Sequence, residues 1–392
     1  MRSLITVVIL TQMGFGATIS LDELLSSAKQ PQQIEEMIEH QFNANESRTL
    51  ANIQSGPLTL NHALSRSVSP LQTGYEHEIG LSKEFKLGDV QALEKRANRL
   101  NNQANRLEQQ KLLVGYSNQL KNAYHQYCLD QEYQEHFKKR YETFALLYSK
   151  KRRAYEQDEI SKRELLQIKL EKQNLQSELN RVEQKVSQER QELIGYGSLG
   201  AEDNFSCQDL YPIEGDFSFD DNRFDLTQQA YEKRIQSRQV ALERQSKKID
   251  TIELSTGYLR ELERDVYTIG ISIPLNFTSK KSEYERAALM QESSAIALEK
   301  EQTLRNKEYE VKRLVAKLNR NYEQIQAQQQ SIEDFKRELL PLVQKSYAYG
   351  ESTVVEYLLS QQQLRLKEET LLEIKKGYYE TLFTLYNISE KR

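Results

Sequence analysis

Side chains that could support catalysis are few and scattered in this chain of 392 residues. It has five histidines, and none forms an i, i+4 pair with a supporting carboxylate, as a helical zinc site would require. The sequence contains no HExxH or CxxC motif and no glycine-rich phosphate loop. We therefore expect no enzyme, no cofactor and no bound metal. The two cysteines, Cys128 and Cys207, permit a disulfide in an exported protein, and two unpaired thiols are the alternative.

A second group of polar side chains belongs to a pattern that occurs twice. The segment "AYEQDEISKRELL" (154–166) aligns with "SYAYGESTVVEYL" (346–358). In both copies a hydroxyl residue precedes a glutamate by three positions, which is the capping-box pattern at the start of a helix. The pairs are Ser161 with Glu164 and Thr353 with Glu356. The two segments therefore predict two chain reversals, each followed by a new helix.

Four segments alternate apolar and polar residues with the two-residue period of a β-strand. These predicted strands are 57–68, 75–87, 251–259 and 266–277. In the last of them isoleucines recur at every second position, while threonine, glycine and serine occupy the positions between. The residues predicted to form the apolar face are Ile79, Leu81, Ile252, Leu254, Ile269, Ile271 and Ile273.

Strands of this length match a transmembrane β-strand, which needs about 9–11 residues. Four strands cannot close a barrel, and an open edge in lipid would leave backbone groups unsatisfied. A homotrimer would supply twelve strands, an even number within the known range. The charged residues Arg66 and Lys83 interrupt the apolar face. A small soluble sheet that caps a coiled coil is therefore the alternative interpretation.

Long helices are predicted for most of the remaining chain. Charged residues make up 29% and glycine and proline are rare, which favours helix over compact β-architectures. Two hairpins are predicted, over 89–195 and 279–386, and each outgoing helix has roughly 65–70 residues against an average of about 11–12. Apolar residues at heptad spacing on the returning helices require neighbouring helices. The net charge of -4 offers no basic excess for binding nucleic acid.

The order of these elements divides the chain into two structural repeats. The first repeat, 21–197, and the second, 226–392, each contain a helix, two strands and a long hairpin in the same order. Residues 198–225 are rich in glycine, aspartate and serine and form a linking segment. At the N-terminus, Arg2 and the apolar run "LITVVIL" predict a secretory signal over 1–20.

Taken in this order, the segments resemble the TolC family of outer-membrane efflux proteins. The resemblance is carried by "VYTIGISIPLNFTSKKSEYERAA" (266–288), by the tip motifs "AYEQDEISKRELLQIKL" and "SYAYGESTVVEYLLSQQQL", and by "RQELIGYG" (190–197). It implies a homotrimer with a twelve-stranded barrel in the outer membrane and a helical tunnel in the periplasm. It also implies a periplasmic adaptor and an inner-membrane pump of the RND or ABC type as partners. The chain would then be the exit duct of a tripartite efflux or type I secretion system.

The same resemblance implies roles for the hairpin tips. Glu356 would narrow the tunnel entrance, with Glu164 as its equivalent in the first repeat, and an ordinary solvated or capping glutamate is the alternative. A second acidic position of the family is Leu359 here, and Asp158 stands where glycine is usual and where Gly350 stands in the second repeat. The tip residues expected to meet the adaptor are Tyr155, Asp158, Ser161, Tyr347, Gly350 and Thr353.

A periplasmic coiled-coil adaptor or scaffold protein is the alternative function. Adaptors of pumps usually carry one hairpin between lipoyl-like halves. This chain has two hairpins, each preceded by paired strands, and that arrangement favours the channel.

Overall fold

A computed structural model describes residues 18–68, 73–197, 199–200, 203–218, 224–247, 249–261, 263–274 and 280–391. The chain is mostly helical with a small β part, which confirms the predicted composition of the fold. It divides into two compact units. We call one the hairpin unit (1–34, 113–223 and 308–392) and the other the sheet unit (35–112 and 224–307).

The described elements follow the order helix, strand pair, long hairpin, twice over. The helices are α1 (Leu21–Ser27), α2 (Lys29–Ile53), α3 (Gly88–Glu156), α4 (Lys162–Tyr196), α5 (Asp225–Gln245), α6 (Lys281–Asp334), α7 (Leu340–Ala348) and α8 (Val354–Ile388). The strands are β1 (Thr18–Ile19), β2 (Thr59–Val68), β3 (Thr73–Lys86), β4 (Asn204–Phe205), β5 (Thr251–Arg260) and β6 (Asp265–Ser272). Within the described ranges, no helix combines the length and apolarity needed to cross a membrane.

The second outgoing helix is interrupted next to Pro341, a residue that indicates an interruption there in the sequence. A π-helical turn, Phe335–Leu339, separates α6 from α7, and the Leu340 N–H donates to the Phe335 carbonyl five residues back. Pro341 follows directly. A proline has no N–H, and its ring clashes with the carbonyl four residues earlier in a regular α-helix. One extra residue in the turn before the proline relieves that conflict.

The core of the hairpin unit surrounds a disulfide. Cys128 in α3 bonds to Cys207, with 5.3 Å between the two Cα atoms, so the cysteines are paired rather than free. Buried side chains from α1, α3, α4 and β4 pack around it, among them Leu24, Tyr124, Tyr127, Leu193 and Phe205. β1 and β4 pair in parallel beside this cluster. The segment after α4 is therefore anchored to α3 and to the N-terminal strand.

A second buried cluster joins the two hairpins within the same unit. The side chains come from α3, α4 and α8: Phe137, Phe144, Ile168, Leu175, Leu179 and Val354. The apolar residues at heptad spacing in α4 are buried along the helix. Burying a leucine or phenylalanine contributes about 1.5–3 kcal/mol, so this seam accounts for the antiparallel packing of helices whose other faces are charged.

The sheet unit contains one antiparallel sheet with the strand order β2-β3-β5-β6. The end of β2 and the start of β3 lie at the same end of the sheet as the end of β5 and the start of β6, and the helices connect at the other end. The strands predicted over 57–68, 75–87 and 251–259 differ from the observed ones by one or two residues at their ends. The last predicted strand, 266–277, is observed as β6, and its residues 275–277 lie outside the described residues.

Candidate functional site

The hairpin tips reverse the chain through two left-handed residues. Asp158 has φ 58° after α3, and Gly350 has φ 76° after α7. A left-handed backbone favours glycine, but aspartate visits it because its short polar side chain bonds locally. This conformation explains how Asp158 replaces the glycine that the family resemblance implies. The Ser161 hydroxyl then accepts a hydrogen bond from the Glu164 N–H at 3.2 Å and begins α4.

The second tip carries a complete capping box. The Thr353 hydroxyl accepts from the Glu356 N–H at 3.3 Å, and the Glu356 carboxylate accepts from the Thr353 N–H at 2.8 Å. The predicted capping role of Glu356 is therefore confirmed. The side chain is exposed while it caps α8, and its role at a tunnel entrance remains a prediction.

The two tips are joined through Glu164 and Tyr347. The Tyr347 hydroxyl donates to Glu164 at 2.6 Å, and the Lys151 ammonium lies 3.2 Å from the same carboxylate. Lys151 also lies over the Tyr347 ring, 4.3 Å from its centroid, and Tyr357 stacks on that ring with centroids 5.0 Å apart. Burial and the hydrogen bond to Glu164 raise the pKa of Tyr347, so the phenol stays protonated and keeps donating.

This network separates the predicted tip residues into two groups. Glu164 and Tyr347 belong to it, whereas Glu356 and Asp158 are exposed and Tyr155 is half-buried. Lys151 and Tyr357 were not singled out by the sequence. Lys151 lies one turn before the first tip motif, and Tyr357 lies within the second. Their contacts cross a chain reversal or join the two hairpins, so helical spacing alone carries no signal for them.

A buried charge cluster lies among α3, α4 and α8. The Asp130 carboxylate is 3.0 Å from the Lys185 ammonium and also contacts Lys376. One oxygen of Glu189 is buried and meets no hydrogen-bond donor among the described residues. Burial and the neighbouring Asp130 raise the pKa of Glu189 to about 8. Glu189 therefore holds a proton at neutral pH and can donate it to Asp130.

His125 in the disulfide core is held neutral. Its Nδ1 lies 2.7 Å from the Lys121 carbonyl, and its Nε2 accepts from the Tyr211 N–H at 2.9 Å. These partners require the tautomer with hydrogen on Nδ1 and satisfy both ring nitrogens. Burial lowers the pKa of His125 to about 4. The ring is a satisfied core residue and is not placed to act as a ligand or base.

These two groups predict how stability depends on pH. The raised pKa of Glu189 makes the free energy of unfolding fall as pH rises from about 4.5 to about 8, because the folded chain holds the extra proton. The lowered pKa of His125 makes the free energy of unfolding rise as pH rises from about 4 to about 6.5. The two slopes oppose one another at acid pH, and His125 no longer offsets the fall from Glu189 between pH 6.5 and 8. Partial solvent screening limits that fall to the order of 1 kcal/mol.

Thermal unfolding midpoints measured across this range would check the expectation. In Glu189→Gln the midpoint should become flat between pH 6.5 and 8. The exposed Glu183 on the same helix provides the control, because Glu183→Gln should keep the slope. A wild-type midpoint that rises between pH 6.5 and 8 would contradict the assignment of a buried proton to Glu189.

The sheet has two chemically different faces. The register places Leu81 opposite Leu60 and Thr256, and Leu254 opposite Lys83 and Ile271. Residues that pair directly point to the same side, so all strands contribute their apolar positions to one face. That face is solvent-exposed here: Ile269 is 90% exposed and Ile271 67%. The other face carries mostly glycine, serine, threonine, asparagine and glutamate.

The register places six of the seven residues predicted to form the apolar face on that face. Paired positions put Ile79, Leu81, Ile252, Leu254, Ile269 and Ile271 on one side. Ile273 directly follows β6 and is exposed. Contact of this face with lipid stays a prediction.

The described residues contain no group of three or more histidine, cysteine or acidic side chains arranged to hold a metal ion. No family profile and no curated protein sequence matches the chain. Several solved structures, in contrast, match the fold of the chain. The CusC transmembrane channel superposes with a TM-score of 0.74 at 16% identity, over 98% of this chain and 96% of that one.

Two further structures agree with this result. The outer-membrane channel OprN gives a TM-score of 0.73 at 12% identity, over 95% of this chain and 89% of its own. The CmeC outer membrane channel of Campylobacter jejuni gives a TM-score of 0.73 at 13% identity, over 94% of this chain and 85% of its own. The chain therefore has the fold of the TolC-like outer-membrane efflux channels, and the resemblance noted in the sequence is confirmed at the level of the fold.

Proposed function

We propose that the chain is an outer-membrane channel in which three copies join their sheets into one twelve-stranded barrel. The observation that carries this proposal is the two-faced sheet. Its apolar face is exposed, and among the described strands β2 and β6 pair on one side only. Exposed apolar surface costs about 25 cal/mol per Å² in water, and lipid contact removes that cost. Pairing of β2 with β6 of the next copy would satisfy both edges.

The channel is proposed to be the passive exit duct of an efflux or type I secretion system. The helical hairpins would extend into the periplasm and meet a periplasmic adaptor and an inner-membrane pump of the RND or ABC type. The polar face of the sheet, with its small side chains, suits the wall of a water-filled pore. The fold shared with known outer-membrane channels supports this reading.

The tip network is proposed to restrain the entrance. The Tyr347–Glu164 hydrogen bond ties α7 to α4, and its loss would let the second hairpin move more easily. Three exposed copies of Glu356 around an axis would form a carboxylate ring that favours cations. Tip positions around these residues, Tyr155, Asp158, Ser161, Gly350 and Thr353, are proposed to meet the adaptor.

Single-channel conductance in planar bilayers tests this function with the purified full-length protein. We expect a heat-modifiable trimer in the outer-membrane fraction that conducts with a preference for cations. Tyr347→Phe should raise the open probability several-fold, because a hydrogen bond to a charged group is worth about 1.5–3 kcal/mol. Glu356→Gln should lower the cation preference and keep the helix cap, since glutamine also completes a capping box.

A matched control is available on the stacked ring. Tyr357→Phe removes a hydroxyl that makes no hydrogen bond to a described residue, so conductance should stay at the wild-type value. If the protein washes off the membrane as a soluble periplasmic species, the channel is excluded and the adaptor or scaffold function takes its place.

A further inference from the structure

Cations cluster at one end of the apolar face of the sheet. His77 in β3 pairs directly with Arg260 in β5, and Arg66 in β2 pairs with the neighbouring Tyr75. The rings of His62 and His77 are 6.3 Å apart. Paired residues have Cβ atoms about 4.5–5.5 Å apart, and diagonal neighbours have Cα atoms about 7–8 Å apart. Arg66, His62, His77 and Arg260 therefore form one patch beside the two hairpin turns, which we call the cationic patch.

The cationic patch is exposed, and its two arginines form no ion pair with a described residue. All four of its side chains are solvent-exposed, and neither Arg66 nor Arg260 forms an ion pair with a described residue. The glutamates of β3 point to the opposite face, because Glu76 and Glu78 alternate with Tyr75 and His77. Among the described residues, Asp265 lies on the same face opposite Arg260, and it accepts a hydrogen bond from the Tyr258 hydroxyl at 2.8 Å.

The surroundings of the patch resemble a membrane interface. Tyrosines lie beside it at Tyr75, Tyr258 and Tyr267, with the last two rings 5.2 Å apart. Farther from the turns the same face continues with Leu81, Ile269 and other aliphatic side chains. Tyrosine rings and long basic side chains gather where lipid chains meet head groups. The cost of a charge on a barrel surface also falls to about 0–1 kcal/mol near the interfaces.

We propose that the cationic patch binds the phosphate groups of a diphosphorylated glycolipid in the outer leaflet of the membrane. This inference rests on the proposed function, because it requires the apolar face to meet lipid. Two arginine guanidiniums provide bidentate donors for phosphate, and the two imidazoles add further donors between them. Arg66 and Arg260 lie on different strands, which matches a head group with two separate phosphates better than a phospholipid with one.

Lys83 provides a contrast on the same face. It pairs with Leu254 near the helical end of the sheet, and its ammonium lies 5.3 Å from the centroid of the Phe85 ring. Its described neighbours on that face, directly opposite and diagonal, carry no charge. The two charged residues that interrupt the apolar pattern in the sequence thus lie at opposite ends of the strands, and only Arg66 belongs to a cluster.

The test measures binding of fluorescent diphosphorylated lipid A to the purified full-length trimer in mixed micelles. The same lipid without its phosphates and dioleoylphosphatidylglycerol are the comparison probes. Losing two charge-assisted contacts should weaken binding about tenfold or more in Arg66→Gln/Arg260→Gln. Lys83→Gln should bind like the wild type. The wild type and Lys83→Gln should prefer the phosphorylated lipid over the dephosphorylated one by a similar factor, and the double variant should lose this preference.

Conductance of the same preparations separates this inference from the proposed function. If all the proteins form channels but the double variant binds lipid A like the wild type, the cationic patch is wrong and the channel stands. Equal binding of phosphatidylglycerol and lipid A would reject the diphosphorylated glycolipid. If no preparation forms channels, the proposed function fails and this inference fails with it.

Discussion

Replacing Ile269 with arginine is expected to abolish assembly of the protein in the outer membrane. Ile269 lies on the apolar face midway between the cationic patch and Ile252, and its side chain is 90% exposed. If lipid covers this face as proposed, an arginine there costs about 2–4 kcal/mol in each copy, and the proposed trimer carries that cost three times. We expect little or no heat-modifiable trimer in the membrane fraction.

The neighbouring Thr268 supplies the control. It belongs to the same strand but points to the polar face, opposite Gly257. Thr268→Arg should therefore assemble and should change only the conductance or ion preference. Gel mobility with and without heating, measured on isolated outer membranes, distinguishes the two variants. Equal assembly of both would show that lipid does not cover the face that carries Ile269.

Removing the Cys128–Cys207 disulfide is the second change with a large expected effect. The bond closes a loop across a sequence separation of 79 residues. Loss of a disulfide typically costs about 2–5 kcal/mol, because the unfolded chain gains freedom. The double variant Cys128→Ala/Cys207→Ala should therefore unfold at a clearly lower temperature. It should also be cleaved more readily by proteases in the segment that contains Cys207.

Reduction of the wild type gives an independent measurement of the same bond. Dithiothreitol should lower the wild-type melting midpoint toward that of the double variant and leave the variant itself unchanged. Both single alanine variants should resemble the double variant. A wild-type midpoint that is insensitive to complete reduction, confirmed by thiol labelling, would contradict a stabilising role for the disulfide.

Features that depend on neighbouring residues in the sequence could be predicted. The capping box of Thr353 and Glu356 involves groups three residues apart, so its pattern is visible in the sequence. The alternation of Ile269 and Ile271 likewise defines one face of a strand without any knowledge of the partner strand. The resemblance of the ordered segments then led to the fold that the solved structures share.

Features that depend on distant residues could not be predicted. Tyr347 meets Glu164, and Lys376 meets Asp130, across gaps that no periodic pattern spans. The pairing of the two cysteines stayed open for the same reason. The chain repeats along its length, yet each compact unit is assembled from parts of both repeats, because the long helices run through more than one region of packing.

The π-helical turn at Phe335–Leu339 has a consequence for the direction in which α7 presents its side chains. One extra residue rotates the side-chain directions of all later residues about the helix axis by about 100°, the angle between successive residues of an α-helix. Tyr347 lies after this turn, so the direction of its side chain toward Glu164 includes that rotation. Pro341 and the π-helical turn before it therefore contribute to the direction of the Tyr347 side chain, although they lie more than one helical turn away.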